Sequence, residues 1–218
     1  MSNGRFLVLE GVDGAGTTTH TKILVDALKA DGIPLKSTRE PSDGPIGVML
    51  RQILTGRLVV PTMQGPRAPT WGTMALLFAA DRLDHIDAEI TPNLMEGVTV
   101  LSDRYDYSSV AYQSLTSDAG GASIEWVQEL NRHARRPDLT IVLDVPPEVA
   151  KRRRGARHGA PDLYDDDALQ VRLCTFYKTI EKYYPKDKIV HVNADRDQAV
   201  VAAEILKHVR DLGVGRGP

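Results

Sequence analysis

RFLVLEGVDGAGTTT, residues 5–19, is the stretch on which the fold turns. Phe6–Leu9 is a short apolar run of strand character, and a glycine-rich turn follows it at once. Beyond the turn, Ile23, Leu24, Ala27 and Leu28 recur at helical spacing. Strand, glycine turn and helix form the setting in which the pattern G-x-x-x-x-G-K-[ST] binds phosphate. Gly11, Gly16 and Thr18 stand at their places in that pattern, but position 17 holds threonine where lysine is expected. In such a loop the backbone N–H groups of Gly11, Val12, Asp13, Gly14, Ala15, Gly16, Thr17, Thr18 and Thr19 make an anion cradle at a helix N-terminus. The cradle is independent of the lysine, whose part is a point charge on the outer phosphates. Three readings stand open: a loop whose charge is lost, a loop whose charge comes from elsewhere, and a plain glycine turn. Strand, spacing and Thr18 together favour the phosphate loop.

Working outward, five apolar runs have strand character: residues 5–10, 33–38, 98–103, 139–145 and 188–193. Helical patterns lie over residues 17–29, 73–95, 123–134, 168–184 and 198–212. The alternation predicts an α/β fold, a five-stranded parallel sheet with helices on both faces, as one domain over residues 1–213. Residues 214–218 are expected to fray. Ligands then bind beyond the carboxyl ends of the strands. Residues 55–72, rich in Pro and Gly, are expected to form a loop. Residues 151–167 begin basic, end acidic and look irregular.

The bulk numbers bound the partners. A chain of 218 residues, 42% hydrophobic and 26% charged, has the size and composition of a soluble domain with a full core. A net charge of −2 predicts no bulk attraction to nucleic acid or to an anionic membrane. The single cysteine, Cys174, rules out an intrachain disulfide and fits a reducing compartment. With no leader pattern and no run of membrane length, a cytoplasmic protein is expected.

Several residues have types and places that suggest chemistry. Thr18 is the hydroxyl that ordinarily holds Mg²⁺ bridging nucleotide phosphates, and Asp103, ending the third apolar run, is a second candidate magnesium or water partner. Phe78 and Arg82 share a helix face, an arrangement that suits a base plus a phosphate. On spacing alone, Phe78 in the core and Arg82 in a surface pair is the plainer expectation. Arg104 follows a strand end and needs an anion, whether structural or a ligand phosphate. KRRRGARH, residues 151–158, is either a solvated face or a lid carrying arginines over phosphates. His85 and His191 lack metal-ligand spacing and are expected to be structural.

FLVLEGVDGAG, TREP, LLFAADR, SDRYDYSSVAYQ and LDVPPEVAKRR, in that order, resemble the thymidylate kinase family, which phosphorylates dTMP with ATP. The resemblance implies a P-loop nucleoside-monophosphate-kinase-like fold with a lid at about residues 151–167. It implies that Phe78 stacks on thymine, that Arg82 helps hold the acceptor and that Arg104 binds the dTMP phosphate. Asp13 would face the acceptor sugar and phosphate. Ser109, Tyr112 and Tyr164 would line the nucleoside pocket, beside Glu40 and Pro41. It implies Mg²⁺ as cofactor and a homodimer formed through packed helices. Family members place a catalytic arginine either inside the phosphate loop or in the lid. Gly14 and the basic run match the second arrangement, with Arg153 and Arg157 as the catalytic arginines, and Asp13 and Asp103 as the other catalytic candidates. Thr17 and Leu163 stand where positive charges are expected, so a lid arginine is the expected replacement. The competing expectations are a silent nucleotide binder, for which Thr17 speaks, and a kinase for another deoxynucleoside or monophosphate.

Overall fold

The computed structural model describes residues 4–117, 122–156 and 163–214. Five strands, β1 (Phe6–Gly11), β2 (Leu35–Arg39), β3 (Thr99–Asp103), β4 (Leu139–Asp144) and β5 (Ile189–Asn193), pair in parallel in the order β2-β3-β1-β4-β5. Each lies within two residues of an expected run. Every residue of β1 is buried, so both faces of the central strand are covered. Helices α1 (Thr17–Ala30) and α9 (Gln198–Asp211) pack on each other and on the strands, as do α5 (Asp106–Leu115) and α8 (Asp167–Tyr177). A smaller cluster of Leu50, Ile53 and Met74 joins α2 (Pro45–Leu54) to α3 (Trp71–His85). No helix among the described residues is long and apolar enough to cross a membrane.

Some expectations need correction. Residues 73–95 are not one regular helix: α3 passes into a π-helical turn at Ile86–Ile90 and then α4 (Thr91–Met95). Pro92 has no N–H for the ladder and its ring crowds the preceding turn, so the backbone widens ahead of it. Residues 151–155 are not irregular but complete α7 (Pro147–Gly155). Only Val149 and Ala150 of α7 are buried, so it has no apolar rhythm. Arg152, Arg153 and Arg154 fill its last turn, where cations favour the helix dipole. Helix α5 escaped for the opposite reason, because polar Asp106, Ser109, Gln113 and Ser114 are buried with its apolar residues. The pattern over 168–184 ends as a helix at Tyr177, and α6 spans Ala122–Leu130. Val214 packs into the core, so fraying does not begin there, and 215–218 lie outside the described residues. Residues 55–70 are a loop, pinned by an antiparallel bridge between Val60 and Arg67.

Candidate active site

The sheet register builds the site from the strand ends. Leu9 pairs with Asp103, which sets the end of β3 beside the turn that leaves β1. The Ala15 N–H closes the loop onto the Val12 carbonyl at 2.9 Å. Gly14 has φ +90°, and a Cβ there would stand 2.5 Å from the Ala150 carbonyl oxygen of α7. The backbone of α7 therefore lies too close for any side chain at 14, which is why an arginine inside the loop is not an option here. Gly14→Ala combines a disfavoured φ with that clash, and is expected to cost about 2–3 kcal/mol of stability. Thermal unfolding checks this, and an unchanged midpoint would show α7 free to move off the loop.

Gly16, at φ +99°, forms the N-cap of α1, and no side chain caps that helix. The first-turn N–H groups of Thr17, Thr18 and Thr19 are thus left for an anion. Val12, Ala15 and Thr17 are buried, whereas Thr18 and Thr19 are exposed. The Thr18 hydroxyl donates to Asp103 Oδ2 at 2.6 Å, and the buried Asp103 Oδ1 has no partner.

Two arginines of α7 dock on carbonyls of the loop. Arg153 donates to Ala15 O at 3.4 Å and to Ala194 O at 3.0 Å. Arg154 donates to Asp13 O at 3.1 Å and to Gln170 Oε1 at 3.4 Å, and pairs with Asp167 at 3.0 Å. Burial, then the nearby Arg153, holds the His20 imidazole below its usual pKa. Arg157 lies outside the described residues.

Beyond the loop is a cleft of about 620 Å³, part of it open to solvent. Asp13, Glu40, Pro41, Phe78, Arg82, Arg104, Ser109, Tyr112 and Tyr164 all line it. The structure therefore gathers in one cleft every residue that the resemblance implied for the acceptor.

The surface pair expected for Arg82 is not there. Arg82 is 1% exposed, and its Nε and Nη2 donate to Glu40 Oε2 at 3.0 and 2.6 Å. Nη2 also reaches Ser109 Oγ at 3.0 Å, and Nη1 donates to Asn131 Oδ1. Burial opposes the charge, but Glu40 and then Asp106 outweigh it, and the Arg82 pKa is raised. Four of its five donors are held by protein, so one remains for a ligand. Glu40 is held in turn by His85, which also meets Thr38 and Glu89. His85 is thus structural, as expected. Phe78 is half-buried, with neighbours in the α2–α3 cluster and its remaining surface on the cleft.

Asp13 joins the two halves of the site. Its Oδ1 pairs with Arg104 Nη2, and its Oδ2 accepts from the Tyr112 hydroxyl at 2.9 Å and Gln170 Nε2 at 3.3 Å. Arg104 also donates to Gly11 O at 3.0 Å and Ser108 Oγ at 3.1 Å, with its guanidinium 5.5 Å from the centre of the Tyr112 ring. Tyr164 stacks edge-on to Tyr112 and accepts from Gln113. Ser108, Gln113, Asn131, Gln170 and Glu10 were not foreseen. Their one signal was polarity at positions that a helix or strand must bury.

A parallel sheet of this order, with a glycine loop leading into α1 and an arginine-lined cleft beside it, has the P-loop nucleoside-monophosphate-kinase-like architecture. A family model described as thymidylate kinase matches residues 9–205, and the chain belongs to the thymidylate kinase family. Among curated relatives, a probable thymidylate kinase of Staphylothermus marinus is 39% identical, over 95% of this chain and 96% of its own. One from Thermococcus kodakarensis is 35% identical, over 95% and 98%. A thymidylate kinase of Alkalilimnicola ehrlichii is 35% identical, over 93% and 91%.

Proposed function

We propose that this protein, a dTMP kinase by its family, works through an acceptor site gathered around the Asp13–Arg104 pair and a phosphate loop charged from α7. The carrying observation is the pair's position. One carboxylate of the loop holds the guanidinium that faces the acceptor cleft. Three of the five Arg104 donors are taken by Gly11, Ser108 and Asp13, which leaves two for the dTMP phosphate. Phe78 stacks on thymine, Arg82 gives its remaining donor to the acceptor, and Ser109, Tyr112 and Tyr164 enclose the sugar beside Glu40 and Pro41. The cradle of Gly11–Thr19 receives the ATP phosphates.

The dTMP phosphate is itself the nucleophile, so the protein supplies position and charge instead of a base. The residues present fit Mg²⁺: a hydroxyl and a carboxylate with an unpartnered buried oxygen are donors a hard cation takes. Thr18 and Asp103 would hold the ion, whose chemistry is neutralisation of phosphate charge. Leu76 and Leu83, seven residues apart on α3 and both exposed, support the homodimer reading. The buried free Cys174 fits a cytoplasmic protein.

Phe78→Ala tests the acceptor assignment. Losing one base–aromatic stack, about 1–3 kcal/mol, raises the KM for dTMP roughly 5- to 150-fold and leaves the KM for ATP unchanged. Equal losses for both substrates would remove Phe78 from the acceptor pocket.

A further inference from the structure

Glu10 ends the apolar part of β1, is fully buried and is not itself among the residues that line the cleft. A buried carboxylate is expensive unless its bonds do something an apolar residue cannot. Its Oε1 accepts the N–H of Tyr105 at 2.8 Å and of Ser108 at 3.3 Å. These are the N-cap and third positions of α5, which has no side-chain cap of its own. Glu10 therefore caps α5 from across the sheet, and its charge suits a helix N-terminus. Its Oε2 accepts the hydroxyls of Ser108 at 2.8 Å and Tyr177 at 2.9 Å, and those two hydroxyls lie 3.0 Å apart. Ser108 Oγ in turn accepts from Arg104 Nη1.

Arg104 has φ +74°, and no other non-glycine residue among those described has a positive φ. Such a conformation persists only where the surroundings over-determine it. Here the Arg104 carbonyl accepts from Ser102 Oγ at 2.7 Å, its N–H donates to Leu9 O at 2.9 Å, and Glu10 holds the next N–H along the chain.

We propose that Glu10 is a positioning residue of the acceptor site: it locks the left-handed backbone at Arg104 and, through Ser108, aims the guanidinium at the acceptor phosphate. This rests on the reading of Arg104 as the phosphate anchor. The titratable groups facing Glu10 are Arg104 and Tyr177, with Asp13 and Tyr112 on the far side of Arg104. Burial pushes the Glu10 carboxyl up to about 7, against the pull of Arg104 and of its hydrogen bonds to Ser108, Tyr177 and Tyr105.

The test is dTMP and ATP binding by calorimetry, with steady-state KM values, for the unaltered enzyme, Glu10→Gln and Ser108→Ala at about pH 8, where the Glu10 carboxyl is charged. Glu10→Gln is expected to weaken dTMP roughly 10- to 100-fold, the loss typical of a charge-assisted hydrogen bond, with ATP affinity unchanged. Ser108→Ala, which keeps the cap, is expected to weaken dTMP in the same direction. It decides the matter if Glu10→Gln does not fold. Variants that bind dTMP as the unaltered enzyme does, with only lower melting points, would overturn the proposal and leave a purely structural carboxylate. An unaltered enzyme that binds no dTMP would instead overturn the reading beneath it.

Discussion

Arg153→Ala is expected to lower kcat by roughly 10³- to 10⁵-fold, the scale of a guanidinium that stabilises phosphoryl transfer. The loop has lost its own cation at Thr17, and α7 stands against the loop backbone at Gly14. Of the two α7 arginines bonded to the loop, Arg154 is already neutralised by Asp167, which Lys151 also meets. Arg153 bonds only neutral carbonyls, Ala15 and Ala194, and has no carboxylate partner among the described residues. On the proposed reading, its charge is the one left for the phosphates. Arg154→Ala is the internal comparison, expected to cost far less. Steady-state rates at saturating ATP, Mg²⁺ and dTMP check the pair. An Arg153→Ala enzyme within tenfold of the unaltered one would move the missing charge elsewhere, with Arg157 next to be tested.

The second large effect lies on the acceptor side. Arg104→Ala is expected to lower kcat/KM for dTMP by about 10³-fold, or about 4 kcal/mol, the cost of removing one member of a largely buried charge pair. On the proposed reading the loss has two parts: the acceptor phosphate loses its anchor, and Asp13 is left with only the neutral donors of Tyr112 and Gln170. Arg104→Lys should recover little. One ammonium cannot span Gly11 O, Ser108 Oγ and Asp13 Oδ1 while facing a phosphate. Initial rates over a range of dTMP concentrations decide it. A lysine variant close to the unaltered enzyme would mean that only the charge matters, not the fork.

The parts legible in the sequence were those with a strong local rhythm. β1, β3 and β4 are short apolar runs bounded by polar residues, β2 and β5 are less apolar, and Gly11–Thr18 carries its meaning in its spacing. The parts that were not legible are those where polar residues go inside. Arg82 looked like a surface residue because helical spacing cannot see that Glu40, forty-two positions away, comes to meet it. Helix α7 was hidden because its basic last turn has no apolar stripe. Glu10 passed as the polar end of β1, since nothing local announces that Tyr105, Ser108 and Tyr177 converge on it. The cleft residues came from the resemblance to a family, and the structure adds the bonds that hold them in place.

The most direct test of the central claim, that a loop with threonine at position 17 still transfers phosphate to dTMP, is a coupled assay of the unaltered protein with ATP, Mg²⁺ and dTMP. Turnover to ADP and dTDP, with Thr17→Lys improving it only modestly, is the expected result. No turnover by the unaltered protein, and its appearance in Thr17→Lys, would contradict the account and mark the chain as a disabled kinase that binds nucleotides.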